Sequence, residues 1–155
     1  MDDKLRSRAI WGLRNGPSLD LQAGNLCEMM ASPPSELHEE EDKFEVTREG
    51  DFDLLLKAHH RKVRGVYSHV FVGESGEVRG RYQFFLEPMA IEILDVTPSP
   101  ILTFLINSNG TFSVGGVELS CRAPGLHRSL TRNLIVTQII ACLQKAITIQ
   151  VPEPK

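Results

Sequence analysis

The sequence lacks the features that mark several classes of protein. It has three cysteines among 155 residues and no C-x-x-C pair, so neither a disulfide framework nor a zinc ribbon is expected. No apolar stretch reaches the roughly 18 residues that a membrane-spanning helix needs. Residues 1–15 contain no continuous apolar segment of the kind found in signal peptides. We therefore predict an intracellular, cytoplasmic protein with reduced thiols, neither secreted nor membrane-spanning.

Aromatic residues are few, at 6%, but hydrophobic residues make up 41% and charged residues 24% of the chain. These proportions are ordinary for globular proteins and argue against full disorder, collagen or a coiled coil. The net charge of −3 conceals a segregation of charge. Residues 36–53 carry nine acidic and two basic side chains, a local −7, and residues 57–81 carry six basic and two acidic ones, a local +4. The distribution of charge therefore says more than its sum.

The first part of the chain differs in composition from the rest. Gly12, Gly16, Pro17 and Gly24 are expected to interrupt any long helix. The acidic, Pro-containing residues 32–42 are expected to stay extended, because like charges in a run repel one another. We predict a flexible arm and linker over residues 1–42 and a compact domain over residues 43–155. The arm offers four apolar side chains for docking on a partner: Trp11, Leu13, Met29 and Met30.

Periodicity predicts the class of the compact domain. Helical spacing of apolar residues predicts helices over 52–64 and 129–147. Alternation and short apolar runs indicate strands over 44–46, 66–72, 78–86, 90–96, 101–106, 111–114 and 117–121, and a last strand fits 148–151. Together these predict an α+β fold with a mainly antiparallel β-sheet packed with two helices.

A basic segment at residues 57–64, extended by two arginines, is the first candidate binding site. Its members are Lys57, His59, His60, Arg61, Lys62, Arg64, Arg79 and Arg81. Basic clusters attract phosphates by Coulomb forces and by releasing counterions, and they also bind anionic membrane surfaces. The alternative is a solvated face that pairs with the acidic linker.

A second basic group precedes the long C-terminal helix. It comprises Arg122, Arg128 and Arg132. Cations at a helix N-terminus are disfavoured by the helix dipole, which indicates an acidic partner for this loop. An ordinary solvated loop is the alternative.

No recognisable catalytic or cofactor set is present in the sequence. The five histidines form no H-x-H or H-E-x-x-H pattern, so we predict no metal site. Cys121 and His127 are a formal nucleophile–base pair, but nothing in the sequence positions a base or an oxyanion hole. No Gly-rich phosphate loop joins a strand to a helix. We therefore predict a non-enzymatic protein without cofactor or small-molecule substrate.

The layout resembles that of rhabdovirus-type matrix proteins. The matching features are the basic stretch from Arg6 to Arg14, Ser32-Pro33-Pro34-Ser35, the acidic run from Glu39 to Asp42 and the domain that begins at Lys43. The resemblance implies a self-associating structural protein on the inner face of a virion, which contacts membrane and nucleocapsid. Pro33-Pro34 is not followed by the tyrosine of a P-P-x-Y budding motif.

These observations predict an assembly or adaptor protein that self-associates and contacts acidic partners. A nucleic-acid or anionic-membrane binding module centred on residues 57–64 is the first alternative. A small enzyme that uses His and Cys is the second.

Overall fold

The computed structural model describes residues 3–31, 43–74, 76–89, 98–149 and 151. Within these residues the chain forms two helices and seven strands. In chain order they are α1 (Asp3–Ala31), β1 (Phe44–Glu49), β2 (Asp53–Ala58), β3 (Arg61–Val72), β4 (Glu77–Leu86), β5 (Leu102–Ile106), β6 (Thr111–Val114), β7 (Val117–Ser120) and α2 (Gly125–Ala146).

Strands β1 to β5 form one antiparallel sheet in which each strand pairs with its neighbours in sequence. Strands β6 and β7 form a separate hairpin. Both helices contribute side chains to the core that lies against one face of the five-stranded sheet. The predicted α+β class, with a mainly antiparallel sheet and two helices, is confirmed, although one of the two helices lies elsewhere in the chain.

The helix predicted over residues 52–64 is wrong. This stretch forms β2, a two-residue turn and the start of β3. His59 and His60 have φ of 52° and 59°, as a two-residue hairpin turn with the twist of the flanking strands requires. Leu54 and Leu56 point into the core across from β3, and Leu55 is buried on the opposite face. The helix was predicted from the spacing of Phe52, Leu55, Leu56 and Val63, and this spacing is accidental, because Leu55 and Leu56 are buried on opposite faces of β2.

The N-terminal residues form a long helix where an arm was predicted. α1 continues through Pro17, which lies on the exposed side, where water can satisfy the carbonyl of Leu13 that the ring deprives of its donor. Gly12 and Gly16 are buried in the interface with the sheet. They do not break α1, because packing against the sheet outweighs the low helix propensity of glycine. The predicted linker over residues 32–42 lies outside the described residues.

α1 lies along β3 in a fixed register. A Cβ atom on Gly12 would lie 2.9 Å from Phe71 Cε1, and one on Gly16 would lie 3.0 Å from His69 Cε1. Four residues farther along α1, Asp20 contacts Tyr67, two residues from His69 on β3, and it also contacts His69 itself. Four helical residues rise about 6 Å and two strand residues about 6.6 Å, so each step of four on α1 meets a step of two on β3. The glycines provide room for the two rings.

Aromatic rings from three strands line the core. Tyr82, Phe84, Phe104 and Phe112 have neighbouring ring centroids between 5.0 and 6.1 Å apart, which suits tilted and offset aromatic pairs. α2 covers them with a face that includes Ile135, Ile139 and Leu143. The helix predicted over 129–147 is therefore confirmed in kind, and it begins four residues earlier, at Gly125.

Two predicted strands have other outcomes. Residues 90–96 lie outside the described residues. Thr148, Ile149 and Val151 are in no strand, and the two apolar side chains among them are exposed. Among the described residues, neither helix combines the length and apolarity needed to span a membrane.

Candidate functional site

The predicted basic segment lies on the β2–β3 hairpin and on β4. Strand alternation places five of its side chains on the face of the sheet opposite the helices, which we call the open face: Lys57, Lys62, Arg64, Arg79 and Arg81. His59 and His60 occupy the turn, and Arg61 lies on the face that carries the core. The structure therefore brings together the lysines and arginines of the open face and separates the histidines from them.

Acidic side chains neutralise part of this charge. Arg64 forms ion pairs with Glu49 and with Glu87, whose carboxylate oxygen lies 2.7 Å from Arg64 Nη2. Hydrogen bonds to these carboxylates raise the pKa of Arg64. Arg79 lies 3.5 Å from Glu77. The sequence suggested that the acidic linker pairs with the basic segment. In the structure, Glu49, Glu77 and Glu87 form ion pairs with it instead.

Arg81, which is half-buried, forms no ion pair with the described residues of the chain, and neither do the two lysines of the open face, Lys57 and Lys62. They are directly opposite each other in the β2–β3 register, and both are exposed. No ion pair to either lysine is formed by the part of the chain that the structure describes. Like charges directly opposite on neighbouring strands are destabilising. This pair is therefore the part of the predicted basic segment that remains available to an anion.

Arg132 was predicted to belong to a basic loop that contacts an acidic partner, and this prediction is wrong. This side chain is only 4% exposed. Its Nε donates to the carbonyl of Met30 at 3.0 Å, and its guanidinium lies 5.8 Å from the ring centroid of Phe44. The cation is past the first turn of α2 and lies at the C-terminus of α1, where free carbonyls and the helix dipole favour positive charge. The sequence suggested that the dipole of α2 disfavours the charge of Arg132. In the structure, the dipole of α1 stabilises this charge.

The other two arginines of this group lie near the surface. Arg122 is exposed, and its Nε donates to Gln22 Oε1 at 3.2 Å. Gln22 is itself fully buried on α1. Arg128 is half-buried in the first turn of α2. Arg122 therefore anchors the loop before α2 to α1, and the three arginines do not form one basic loop.

The four predicted docking side chains divide into two pairs. Trp11 and Leu13 are exposed, and Leu13 is 79% accessible. Met29 and Met30 are in the core, where Met30 is fully buried. The prediction that the methionines dock on a partner is therefore wrong. They follow the inward face of α1, which continues along the core beyond Leu26.

An exposed apolar stripe runs along the side of α1 that faces away from the sheet. We call this the outer face of α1; it comprises Ile10, Leu13, Pro17 and Leu21, with Arg6 and Arg14 among them. Trp11 lies on the flank of α1, in a hollow that Gly76 and Glu77 also line. Ile10, Leu13, Pro17 and Leu21 are spaced by three, four and four residues, which places them on one side of a helix. That spacing was the sequence signal for this surface, and the glycines and the proline obscured it.

A polar contact holds α1 in place on β3. Asp20 Oδ1 lies 2.7 Å from His69 Nε2 and accepts a hydrogen bond from the Tyr67 hydroxyl at 3.1 Å. The Tyr67 and His69 rings meet edge to face, with centroids 5.6 Å apart. Burial and the neighbouring carboxylate raise the pKa of Tyr67, so the hydroxyl remains a donor. This contact fixes the side of α1 that faces solvent.

The structure gives no support to a Cys–His nucleophile. Cys121 is buried, and desolvation raises its thiol pKa to about 12. A nucleophilic cysteine needs the opposite shift. His127 is exposed on α2, and no described hydrogen bond joins it to Cys121. Within the described residues, no group of three or more His, Cys, Asp or Glu is arranged to hold a metal ion.

Comparison with known proteins adds no relative. No protein-family model, no curated protein and no solved structure matches the chain.

Proposed function

We propose that this chain is a non-enzymatic assembly or adaptor protein that docks through the outer face of α1. The observation that carries the proposal is an apolar, basic helix face that no described residue covers, on a helix whose opposite side is anchored in the core. Soluble proteins scatter single apolar side chains over their surfaces, but an apolar stripe along one helix face marks an interaction site.

Charge selects the kind of partner. Over residues 3–16, α1 carries Lys4, Arg6, Arg8 and Arg14 against Asp3 alone. A positive field around an apolar stripe favours a partner that is apolar at its centre and acidic at its rim. Residues 36–53 of a second copy, with their local charge of −7, have that sign. Self-association through α1 is therefore part of the proposal.

The anchoring of α1 makes the surface suitable for docking. Gly12 and Gly16 have no side chain and therefore leave room for the rings of Phe71 and His69. Asp20 contacts His69 and accepts a hydrogen bond from Tyr67. A helix that is already ordered loses little conformational entropy when a partner binds. The basic stretch from Arg6 to Arg14 is the part of the resemblance to rhabdovirus-type matrix proteins that fits this proposal, a matrix-like structural protein.

Replacing apolar residues of the outer face with aspartate tests the proposal. The triple variant Ile10→Asp, Leu13→Asp, Leu21→Asp is compared with Leu130→Asp, which alters an exposed leucine on α2. Light scattering across a concentration series should show that the parent and Leu130→Asp associate, while the triple variant stays monomeric. Thermal unfolding of the triple variant should match that of Leu130→Asp. Identical masses for the parent and the triple variant at every concentration would refute docking of copies through this face.

The second candidate function is phosphate or nucleic-acid binding at the open face, favoured by Lys57 and Lys62, with which the described residues form no ion pair. Two facing ammonium groups suit a polyanion, which relieves their mutual repulsion.

A further inference from the structure

A hollow lies between the first half of α1 and two turns of the β-strands. Its volume is about 540 Å³, which is within the usual range of sites that hold a small ligand. Its lining includes Ser7, Arg8 and Trp11 from α1, Gly76 and Glu77 from the turn that leads into β4, and Ser108 from the loop that joins β5 to β6. The hollow therefore combines an aromatic ring, a cation, a carboxylate and two hydroxyl groups.

Contacts on both sides hold the walls of the hollow in place. Gly76 has φ of 70°, and a Cβ atom there would collide with the guanidinium of Arg8. The arginine thus lies directly against the backbone of the turn before β4. On the other side, the Ser18 hydroxyl donates to the carbonyl of Ser108 at 3.3 Å, and Gln22 Nε2 donates to it at 3.5 Å. Because both turns are joined to α1, the hollow is a built feature of the fold.

Trp11 gives the hollow an aromatic surface. It is the sole tryptophan of the chain, and it is 48% exposed. Tryptophan is enriched among the residues that contribute most to binding energy. Its ring stacks on planar groups, and every nucleobase has a face suited to such stacking. The exposed ring therefore favours a ligand with a flat aromatic part.

Arg8 and Glu77 place opposite charges in the same hollow. Arg8 is half-buried, whereas the neighbouring Arg6 and Arg14 of α1 are exposed. No residue in the described ranges forms an ion pair with Arg8. A guanidinium binds phosphate through two parallel N–H···O bonds. A carboxylate accepts hydrogen bonds from the hydroxyl groups of a ribose.

Simpler classes of ligand match only part of this lining. An apolar side chain of a partner would bury Arg8 and Glu77 without compensation, which is costly. A simple anion would leave the ring of Trp11 uncovered, and a cation would be repelled by Arg8. A nucleoside monophosphate has a flat base, ribose hydroxyl groups and a phosphate. Each of these parts has a matching group in the hollow.

We infer that the hollow between α1 and the turn before β4 binds a nucleoside monophosphate. The base stacks on Trp11, the phosphate accepts hydrogen bonds from Arg8, and the ribose hydroxyl groups donate to Glu77. The inference goes beyond the proposed function, since it assigns a small-molecule site and uses no apolar side chain of the outer face of α1. Its failure would leave docking through that face unaffected.

Fluorescence of Trp11 reports binding at the hollow directly, because the chain has no other tryptophan. The full chain is titrated in turn with the monophosphates of adenosine, guanosine, cytidine and uridine, with excitation at the red edge of the indole band, where nucleotides do not absorb. At least one of them should quench the fluorescence to saturation. The absence of a saturable response to all four, by fluorescence and by calorimetry, would overturn the inference.

Two fragments of the ligand test the assigned contacts. The nucleoside lacks the phosphate that Arg8 binds, and ribose phosphate lacks the base that stacks on Trp11. Each should bind about tenfold more weakly than the nucleotide, or worse. Equal binding of either fragment would overturn the inference. Because these titrations use the parent chain, their result does not depend on how any variant folds.

Substitutions locate the site. Arg8→Gln should weaken nucleotide binding about tenfold or more, because a charge-assisted pair with the phosphate is lost. Arg14→Gln, at an exposed arginine of the same helix, is the matched control and should bind as the parent does. Lys62→Gln should also bind as the parent does, which separates the hollow from the open face. Equal losses from Arg8→Gln and either control would place the ligand elsewhere and overturn the inference.

Discussion

Asp20 of α1 and His69 of β3 are in direct contact, with Asp20 Oδ1 2.7 Å from His69 Nε2. The same oxygen accepts from Tyr67, so a single carboxylate oxygen joins the helix to two side chains of one strand. Asp20→Ala should lower the free energy of unfolding by about 1 kcal/mol, because the pair is partly exposed and the Tyr67 hydroxyl loses its partner. Urea unfolding measures this change. Asp51→Ala, at an exposed site, is the control, and an equal loss there would contradict the role of Asp20.

Gly65 lies on β3 beneath the ring of Phe84. A Cβ atom on Gly65 would lie 2.5 Å from Phe84 Cε1, and Phe84 is buried in the core. Gly65→Ala should therefore destabilise the protein by about 1–3 kcal/mol through overpacking. Gly24→Ala in α1, where the nearest atom is 3.8 Å away, should stabilise it by up to about 1 kcal/mol through helix propensity. Thermal unfolding of the two variants should move in opposite directions, and stabilisation by Gly65→Ala would refute the packing argument.

Alkaline pH should destabilise the protein through its buried thiols and tyrosines. Folding raises the pKa of Cys121 from its ordinary value of 9.0 to about 12, and the pKa values of Cys27, Tyr67 and Tyr82 also rise. Below pH 9 the thiol is protonated in both states. Between pH 9 and about 12 only the unfolded chain releases its proton, so stability is lost as pH rises.

The free energy of unfolding in urea should therefore fall steadily above about pH 9. Cys121→Ala should make this fall less steep, since one of the contributing groups is removed. Cys142→Ala, at a half-buried thiol of α2, is the matched control for the loss of a cysteine. A slope that Cys121→Ala does not change would contradict the assignment to this thiol.

The facing lysines of the open face distinguish the second candidate function from a purely structural surface. Lys62→Glu should raise the free energy of unfolding by about 0.2–1 kcal/mol, because an opposite-charge pair with Lys57 replaces a like-charge pair. If the open face binds nucleic acid, the same change weakens binding of a single-stranded RNA oligonucleotide and reduces its salt dependence. Fluorescence anisotropy at low salt measures both, with Lys145→Glu as the control. Absence of binding by the parent would exclude this function.

The elements whose identity depends on local pattern could be predicted. The wide apolar face of α2 and the alternation in β4 need no knowledge of their neighbours. α1 could not be predicted, because Gly12 and Gly16 count as helix breakers until Phe71 and His69 are known to need their space. The β2–β3 hairpin was hidden because its turn consists of two histidines, whereas Asn, Asp and Gly are the usual sequence signal of a two-residue hairpin turn.

The residues of the candidate site also divide into those that a local pattern predicts and those that depend on distant contacts. Trp11 and Leu13 are exposed, as a docking role requires, whereas Met29 and Met30 are buried. Burial of Arg132 could not be read from the sequence, because its partner is a backbone carbonyl 102 residues away. Local charge counts likewise place Arg64 in a free basic cluster, whereas β1 and the end of β4 bring carboxylates to it. Long-range pairing thus decides which charges remain available.

The bond between Arg132 and Met30 joins the first and last helices of the described fold. During synthesis α1 leaves the ribosome first, and its apolar inward side has no partner until the strands follow. α2 emerges after all the other described elements, so the buried ends of α1 and β1 stay uncovered until the seven strands have been made. Closing such long loops is slow, and exposed apolar surface invites aggregation meanwhile. A chain cut short before α2 should therefore be retained by chaperones or degraded, even though all seven strands have been translated.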